Sequence, residues 1–162
     1  MVDELDEDQR ALRWLRDRAD IGERLAQLAR ALDDGDPAGV GRCLTATCEW
    51  DVDPSAPPVV GRAAVQDLVR ALAAPEDPGG HRTNTQLSNL MVELDGDRAA
   101  TDAYLFAWVV QPERGTGFAW GRWRDELVRE DETWRVRRHR LHVLARENTE
   151  LAGHPVVERG GG

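Results

Sequence analysis

Apolar residues recur at helical spacing in the first part of the chain. One apolar face predicts a first main helix, and its members are Ile21, Leu25, Leu28 and Leu32. Asp20 and Glu23 have the spacing of a capping box, so this helix is expected to begin at Asp20. Gly35 is expected to end it. Residues 11–18 form either an extra turn of the same helix or a separate short helix, and the pattern leaves both open.

Two shorter helices are predicted next. Asp36 and Pro37 are an N-cap and a first-turn proline, which indicate a helix to about Leu44. A third helix is expected over residues 62–72, with an inward face made of Val65, Leu68, Val69 and Leu72. Between the two, residues 49–52 indicate a short strand.

The second half of the chain changes to the period of strands. Four long strands are predicted, over residues 85–94, 99–110, 118–129 and 134–144. Residues 95–97 and 130–132 have the composition of tight turns between them. Helices followed by a meander of strands are typical of an α+β fold, in which about three helices cover one face of a curved, mostly antiparallel sheet.

Large aromatic residues take alternate positions on these strands. Tyr104, Phe106 and Trp108 are expected on one face of their strand, whereas Trp120 and Trp123 are expected on opposite faces of the next. Six tryptophans in 162 residues indicate a large apolar interior or an interface. The aromatic residues therefore serve either as core and dimer contacts or, for a subset, as the lining of a ligand site.

Length and charge narrow the class of protein. The 162 residues suit one domain, which we expect over residues 13–147, between a mobile acidic segment at 1–12 and a flexible tail at 148–162. The net charge of -9 argues against a nucleic-acid partner. No apolar run is long enough to cross a membrane, and the acidic N-terminus does not resemble a secretory signal, so a cytoplasmic location is expected.

The chemistry available to the chain is limited by its composition. The sequence has no lysine, which excludes a lysine base or Schiff base. Cys43 and Cys48 are expected to be free, partly buried thiols. No metal-binding spacing, phosphate loop or catalytic triad is present, so neither a metal nor an organic cofactor is expected.

Several short strings stand in order along residues 17–146. They are the strings DRADI at 17–21, ALDDGD at 31–36, VGR at 60–62, RTNTQLSN at 82–89, ELDGDRA at 93–99, WRDELVR at 123–129 and WRV at 134–136. In order and spacing they resemble the SnoaL-like branch of the nuclear-transport-factor-2-like superfamily, which includes polyketide cyclases, scytalone dehydratase and ketosteroid isomerase. The resemblance implies a cone-shaped fold with a cavity between helices and sheet, in which active members use acid–base chemistry.

The resemblance also implies two polar groups in the cavity. The aspartate at the end of the first helix corresponds to Asp33, but the histidine at the start of the strand after the third helix falls on Thr85. Asp33 is therefore the candidate base, unless it pairs with an arginine of the last strand or caps the turn toward Asp36. His81 and Tyr104 are the candidate proton donors.

The remaining candidates are expected to bind a ligand. They are Trp50, Thr85, Asn89, Phe106, Trp108, Trp123 and Arg138. Arg138 and Arg140 should share the face of Trp134, so at least one arginine is expected to point inward. His139 and His142 should take opposite faces of the same strand.

Three functions fit these expectations. The first is binding of a small hydrophobic polycyclic or aromatic metabolite, with cofactor-free dehydration, isomerisation or aldol cyclisation if the chain is an enzyme. The second is a non-catalytic binding or regulatory module. The third is an accessory subunit like the small subunit of ring-hydroxylating dioxygenases. A homodimer formed through the sheet suits all three.

Overall fold

The computed structural model describes residues 2–53, 55–73, 82–111 and 115–149. The helices are α1 Val2–Asp33, α2 Pro37–Cys43 and α3 Arg62–Ala73. The strands are β1 Leu44–Asp51, β2 Val59–Val60, β3 Arg82–Asp95, β4 Arg98–Gln111, β5 Gly115–Glu130 and β6 Thr133–Thr149. The predicted α+β fold is confirmed, with the helices before the long strands. Residues 150–162 of the predicted tail lie outside the described residues, and its flexibility stays a prediction.

Helix α1 is one continuous helix that begins well before Asp20. Asp20 is exposed within it and pairs one turn away with Arg16, at 3.7 Å. The predicted start at Asp20 is wrong because no glycine or proline interrupts residues 2–19, so the helix continues through the capping-box spacing. Residues 11–18 belong to the same helix. Residues 2–12 lie in its first turns, and their mobility stays a prediction.

The six strands form one sheet in the order β2-β1-β6-β5-β4-β3. Strands β3 to β6 are antiparallel neighbours in sequence, as the predicted meander requires, and β1 joins β6 in parallel. Strand β1 begins at Leu44 rather than at Glu49. The prediction missed this half of the strand because Leu44, Thr45 and Cys48 are all buried and leave no alternation to detect.

The core lies between the helices and one face of the sheet, called here the inner face. Ile21, Leu25 and Leu28 of α1 are at most 1% exposed, which confirms the predicted apolar face. Helix α1 ends at Asp33, and the turn after it contains Gly35, whose φ of +61° is a left-handed conformation that favours glycine. On α3 the predicted Val65 and Val69 are buried, and Leu68 packs against the core. The fourth predicted position, Leu72, is 70% exposed because it lies in the last turn.

Two bulges in β6 decide which of its side chains face inward. Leu127 pairs with Val136 and Glu126 with Arg138, so Arg137 is an extra residue. Leu144 is a second extra residue in the same strand. A bulge shifts the alternation by one residue, so positions after Arg137 exchange faces.

Both cysteines are buried and free, as predicted. In the described part of the chain, no helix is long and apolar enough to cross a membrane.

Candidate functional site

Asp33 lies at the end of α1, where its carboxylate contacts the start of β3. Oδ1 accepts hydrogen bonds from the hydroxyls of Thr83 and Thr85, at 2.9 and 2.7 Å. Oδ2 accepts the backbone N–H of Thr85 at 2.7 Å. The carboxylate therefore joins α1 to the edge strand of the sheet. Neither predicted alternative, an arginine of the last strand or a cap toward Asp36, is found among the described contacts of Asp33.

Thr85 occupies the position where the resemblance implies a histidine. Its hydroxyl contacts Asp33, so the geometry of an acid beside a polar partner is retained. A hydroxyl does not exchange protons near neutral pH as an imidazole does, because its pKa is far higher. This contact positions Asp33 but supplies no second group for proton transfer. Of the two predicted proton donors, His81 and Tyr104, His81 lies outside the described residues.

The predicted aromatic residues divide between the two faces of the sheet. Trp50 and Trp123 lie on the inner face and are 5% and 4% exposed. Tyr104 and Trp108 lie on the opposite face, called here the outer face, and are 47% and 44% exposed. The predicted common face of Tyr104, Phe106 and Trp108 is confirmed, and it faces away from the helices. The structure therefore does not bring Tyr104 to the side of the sheet that holds Asp33.

Asn89 adopts a left-handed backbone conformation at a bulge in β3. Its φ is +51°, and the pairing of β3 with β4 shifts between Ser88 and Met91. Asparagine tolerates this left-handed conformation better than most residues. Its side chain is exposed. The backbone of the bulge therefore accounts for an asparagine at this position.

Arg138 lies on the outer side of β6 because of the bulge at Arg137. Its Nε donates to Glu49 Oε2 at 2.8 Å, and its Nη1 lies 3.4 Å from Glu126 Oε1. The expectation that Arg138 and Arg140 share the face of Trp134 is wrong, because the extra residue reverses the alternation between them. Arg138 is placed in an ion-pair network across three strands.

The same bulge turns His139 to the inner face, where it pairs with a buried aspartate. His139 and Asp125 are register partners on β6 and β5, and Nδ1 lies 2.8 Å from Asp125 Oδ1. Each residue is 2% exposed. The imidazole stacks on Trp50 with ring centroids 4.0 Å apart, and Trp123 meets it edge-on at 4.7 Å. His142 is exposed, which confirms that the two histidines take opposite faces.

The Asp125–His139 pair leaves polar atoms unsatisfied. Within the described residues, Asp125 Oδ2 and Trp123 Nε1 are buried and have no hydrogen-bond partner. Burial raises the pKa of Asp125, and the neighbouring His139 offsets part of the rise. A buried polar atom without a partner costs about 1–3 kcal/mol, so native proteins retain few of them.

The sequence contained a signal for Asp125 that the prediction did not use. Trp123, Asp125 and Leu127 alternate on β5, so a carboxylate stands between two apolar inward positions. All three are buried. The partner was harder to find, because regular alternation from Val136 would have turned His139 outward.

Comparison with known proteins agrees with this architecture. The family model described as SnoaL-like domain matches residues 13–140. A putative scytalone dehydratase from Novosphingobium aromaticivorans has a TM-score of 0.72 at 19% identity, over 91% of this chain and 97% of that one. A hexachlorocyclohexane dehydrochlorinase (LinA) type 2 has a TM-score of 0.76 at 18% identity, over 93% and 99%. ActVI-ORFA from Streptomyces coelicolor has a TM-score of 0.68 at 18% identity, over 78% and 96%.

At these identities the structural likeness shows the fold alone. No curated protein sequence matches the chain. The family match covers residues 13–140, which is most of the chain and includes the inner-face residues Asp33, Asp125 and His139. The chain therefore belongs to the SnoaL-like domain family and has the cone-shaped nuclear-transport-factor-2-like fold.

Proposed function

We propose that the chain binds a small hydrophobic molecule, aromatic or polycyclic, between its helices and the inner face of its sheet. The inner-face tryptophans Trp50 and Trp123 support this, because their indole rings would supply flat apolar surface to a ligand that enters between helices and sheet. The ligand would displace water from apolar surface and would gain aromatic contacts.

The proposed chemistry is cofactor-free proton transfer, giving dehydration, isomerisation or aldol cyclisation. Asp33 is the proposed base, since Thr83 and Thr85 hold its carboxylate at the junction of α1 and β3. Two structural neighbours are named as a putative dehydratase and a dehydrochlorinase, and these names support a reaction on a small molecule. Fold alone does not establish chemistry, so the residues carry the proposal.

A second candidate function is binding without turnover. Thr85 favours it, because a threonine stands where the resemblance implies the histidine of an acid–base pair. Native mass spectrometry of the chain purified from its own host separates the two candidates. A bound molecule that is returned unchanged after incubation supports a binding module, whereas its conversion supports an enzyme.

Binding itself is tested by equilibrium dialysis with naphthalene. Trp123→Phe should weaken naphthalene binding by about three- to tenfold, because the smaller ring loses apolar contact area. Trp108→Phe is the matched control on the outer face and should leave the affinity within about twofold. Equal losses in both variants, or no binding by the unaltered chain, would contradict an inner-face site.

We also propose a homodimer formed through the outer face. Phe106, Trp108, Phe118 and Trp120 form a continuous aromatic cluster there, with ring centroids 5.6 to 6.5 Å apart. Trp108 and Trp120 are 44% and 40% exposed. Contiguous exposed aromatic surface is typical of an interface, and a second copy would cover it.

A further inference from the structure

We propose that the N-terminal arm of α1, defined here as residues 2–16, docks in a basic groove on a second copy of this chain. The inference rests on the proposed homodimer, because it requires two copies whose outer faces meet. It adds a second contact to that interface, in which each copy places its acidic arm in the groove of the other. It also gives a role to a helix end that the proposed ligand site does not use.

The arm extends beyond the body of its own chain. Every described side chain from residue 6 to residue 16 is exposed, and burial begins at Asp17. The only described ion pair from the arm to another element is between Arg13 and Asp97, at 3.6 Å and open to solvent. A helix of about 15 residues is marginally stable in water without tertiary packing. The arm therefore has a surface that another molecule can cover.

That surface is partly apolar. Leu12, Trp14 and Leu15 are 66%, 48% and 56% exposed. Neighbouring exposed apolar side chains on one helix are typical of an interaction surface. The partner of the arm should therefore offer apolar contact as well as charge.

The start of the arm is strongly acidic. Residues 3–8 contain five carboxylates and no basic residue. Asp6 pairs with Arg10 at 2.6 Å, one turn along the same helix. Glu7 and Asp8 are exposed and have no ion pair within the described residues. The surface that receives this end of the arm should therefore carry basic groups.

A groove of about 830 Å³ lies along β6 past the end of β1. Strand β1 ends at Asp51, opposite Arg140, so no strand of the described chain pairs with the next residues of β6 on that side. The basic side chains outnumber the acidic ones along this groove. The basic ones are Arg122, Arg124, Arg140, His142 and Arg146, and the acidic ones are Asp51 and Asp53.

The arginines of the groove leave charge available for a partner. Arg122 and Arg124 share Asp102, at 2.6 and 3.0 Å. Arg140 and Arg146 are exposed, and neither has an ion pair among the described residues. Because the whole chain carries a net charge of -9, a basic groove is a local exception that attracts the acidic end of another copy.

Size and position also fit the arm. The strand from Arg140 to Arg146 is about 20 Å long, and the 15 residues of the arm span about 22 Å. Leu144 lies in this stretch, is 60% exposed and supplies apolar surface. Arg122 follows Trp120 on the outer face of β5, so the groove is continuous with the aromatic cluster of the proposed interface.

Charge reversal tests the pairing of arm and groove. Sedimentation velocity at several concentrations gives the dissociation constant of the dimer. Glu7→Arg with Asp8→Arg should raise this constant at least about tenfold, because like charges then meet in the groove. Arg140→Glu with Arg146→Glu should raise it by a similar factor. All four changes in one chain should restore it to within about threefold, because the attraction is re-formed with the signs exchanged.

A matched control separates this contact from an effect of net charge. Asp20→Arg with Glu23→Arg reverses two exposed carboxylates of α1 outside the arm, and it should leave the dissociation constant within about threefold. If net charge alone governed association, both acidic reversals would strengthen the dimer, because the chain becomes less negative.

The outcomes distinguish the arm contact from the homodimer itself. A dimer that withstands the arm and groove reversals but dissociates in Trp120→Glu would overturn the arm contact and uphold the homodimer, and it would show that something other than the arm fills the groove. Weakening by the arm reversal that the four combined changes do not relieve would also overturn the contact. A monomeric unaltered chain would overturn both proposals.

Discussion

Asp102 shows at the scale of one residue how neighbouring charges set the behaviour of a carboxylate. Its oxygens accept hydrogen bonds from Arg122 Nε at 2.7 Å and Arg124 Nε at 3.0 Å. The bond from Arg122 is the main cause that lowers the pKa of Asp102; burial opposes it, and the bond from Arg124 adds a weaker lowering effect. Arg122 also lies over the ring of Tyr104, 4.7 Å from its centroid. The face that Asp102 shares with Tyr104 on β4 is thus occupied by an arginine pair.

Asp102→Asn should lower the free energy of unfolding at pH 7 by less than about 1 kcal/mol, because the pair is open to solvent. A carboxylate with a lowered folded-state pKa stabilises above its unfolded pKa, and this stabilisation is lost as the pH falls through the folded value. The difference between the two proteins should therefore shrink as the pH falls below about 4, the ordinary pKa of an aspartate. Urea unfolding at pH 7 and pH 2.5 measures it. Asp67→Asn, in the exposed pair with Arg70, is the control, and a difference that grows in acid would refute the assignment.

At the scale of elements, one buried aspartate docks α1 onto the sheet. Asp17 is 5% exposed, and its Oδ2 lies 2.6 Å from Arg129 Nη2 on β5. The indole N–H of Trp134 on β6 reaches its other oxygen at 3.4 Å. The guanidinium of Arg129 lies over the Trp134 ring, 4.6 Å from its centroid. This group holds the middle of α1, whereas the preceding Leu12 and Leu15 are exposed.

Asp17→Asn should lower the free energy of unfolding by about 2 kcal/mol, because it removes the buried carboxylate that pairs with Arg129 and leaves the exposed Asp97 as its remaining counter-charge. Urea unfolding at neutral pH measures the loss. Asp20→Asn is the matched control one turn later, since Asp20 is exposed and its pair with Arg16 is worth little. If both variants lost the same amount, the pair with Arg129 would not anchor the helix. Adding Arg129→Met to Asp17→Asn should recover part of the loss, since it removes the guanidinium that has lost its buried partner.

At the scale of the whole molecule, the two faces of the sheet have different roles. The inner face carries the core, the buried Asp125–His139 pair and the contact of Asp33 with β3. The outer face carries exposed aromatic side chains and arginine ion pairs. A ligand site and an interface between copies can therefore coexist without sharing residues.

Trp120→Glu should convert the proposed homodimer into a monomer, because the aromatic cluster would have to bury an unpaired charge on association. Sedimentation velocity at several concentrations measures the change. Leu72→Glu is the control, since Leu72 is equally apolar and 70% exposed but lies on α3, away from the cluster. A monomeric unaltered chain, or a variant that remains dimeric, would exclude the outer face as the interface.

Much of this molecule followed from its sequence. The α1 face of Ile21, Leu25 and Leu28 and the alternation on β4 and β5 predicted the elements, because a buried side must repeat with the period of its own secondary structure. The strings over residues 17–146 indicated the family, and with it the placement of Asp33 and Thr85. These features depend on the spacing of residues that are close in the sequence, and this spacing is the same whichever strand or helix packs against them.

The tertiary structure decided what local spacing does not contain. The extra residue at Arg137 is visible only once β6 is paired with β5, yet it turns His139 inward and Arg138 outward. Which face of β4 meets the helices was equally undetermined, because both faces of that strand carry apolar residues, and this choice placed Tyr104 and Trp108 on the outer side. Register and layer packing join residues that are distant in sequence, so they brought Asp125 to His139 and Asp33 to Thr85.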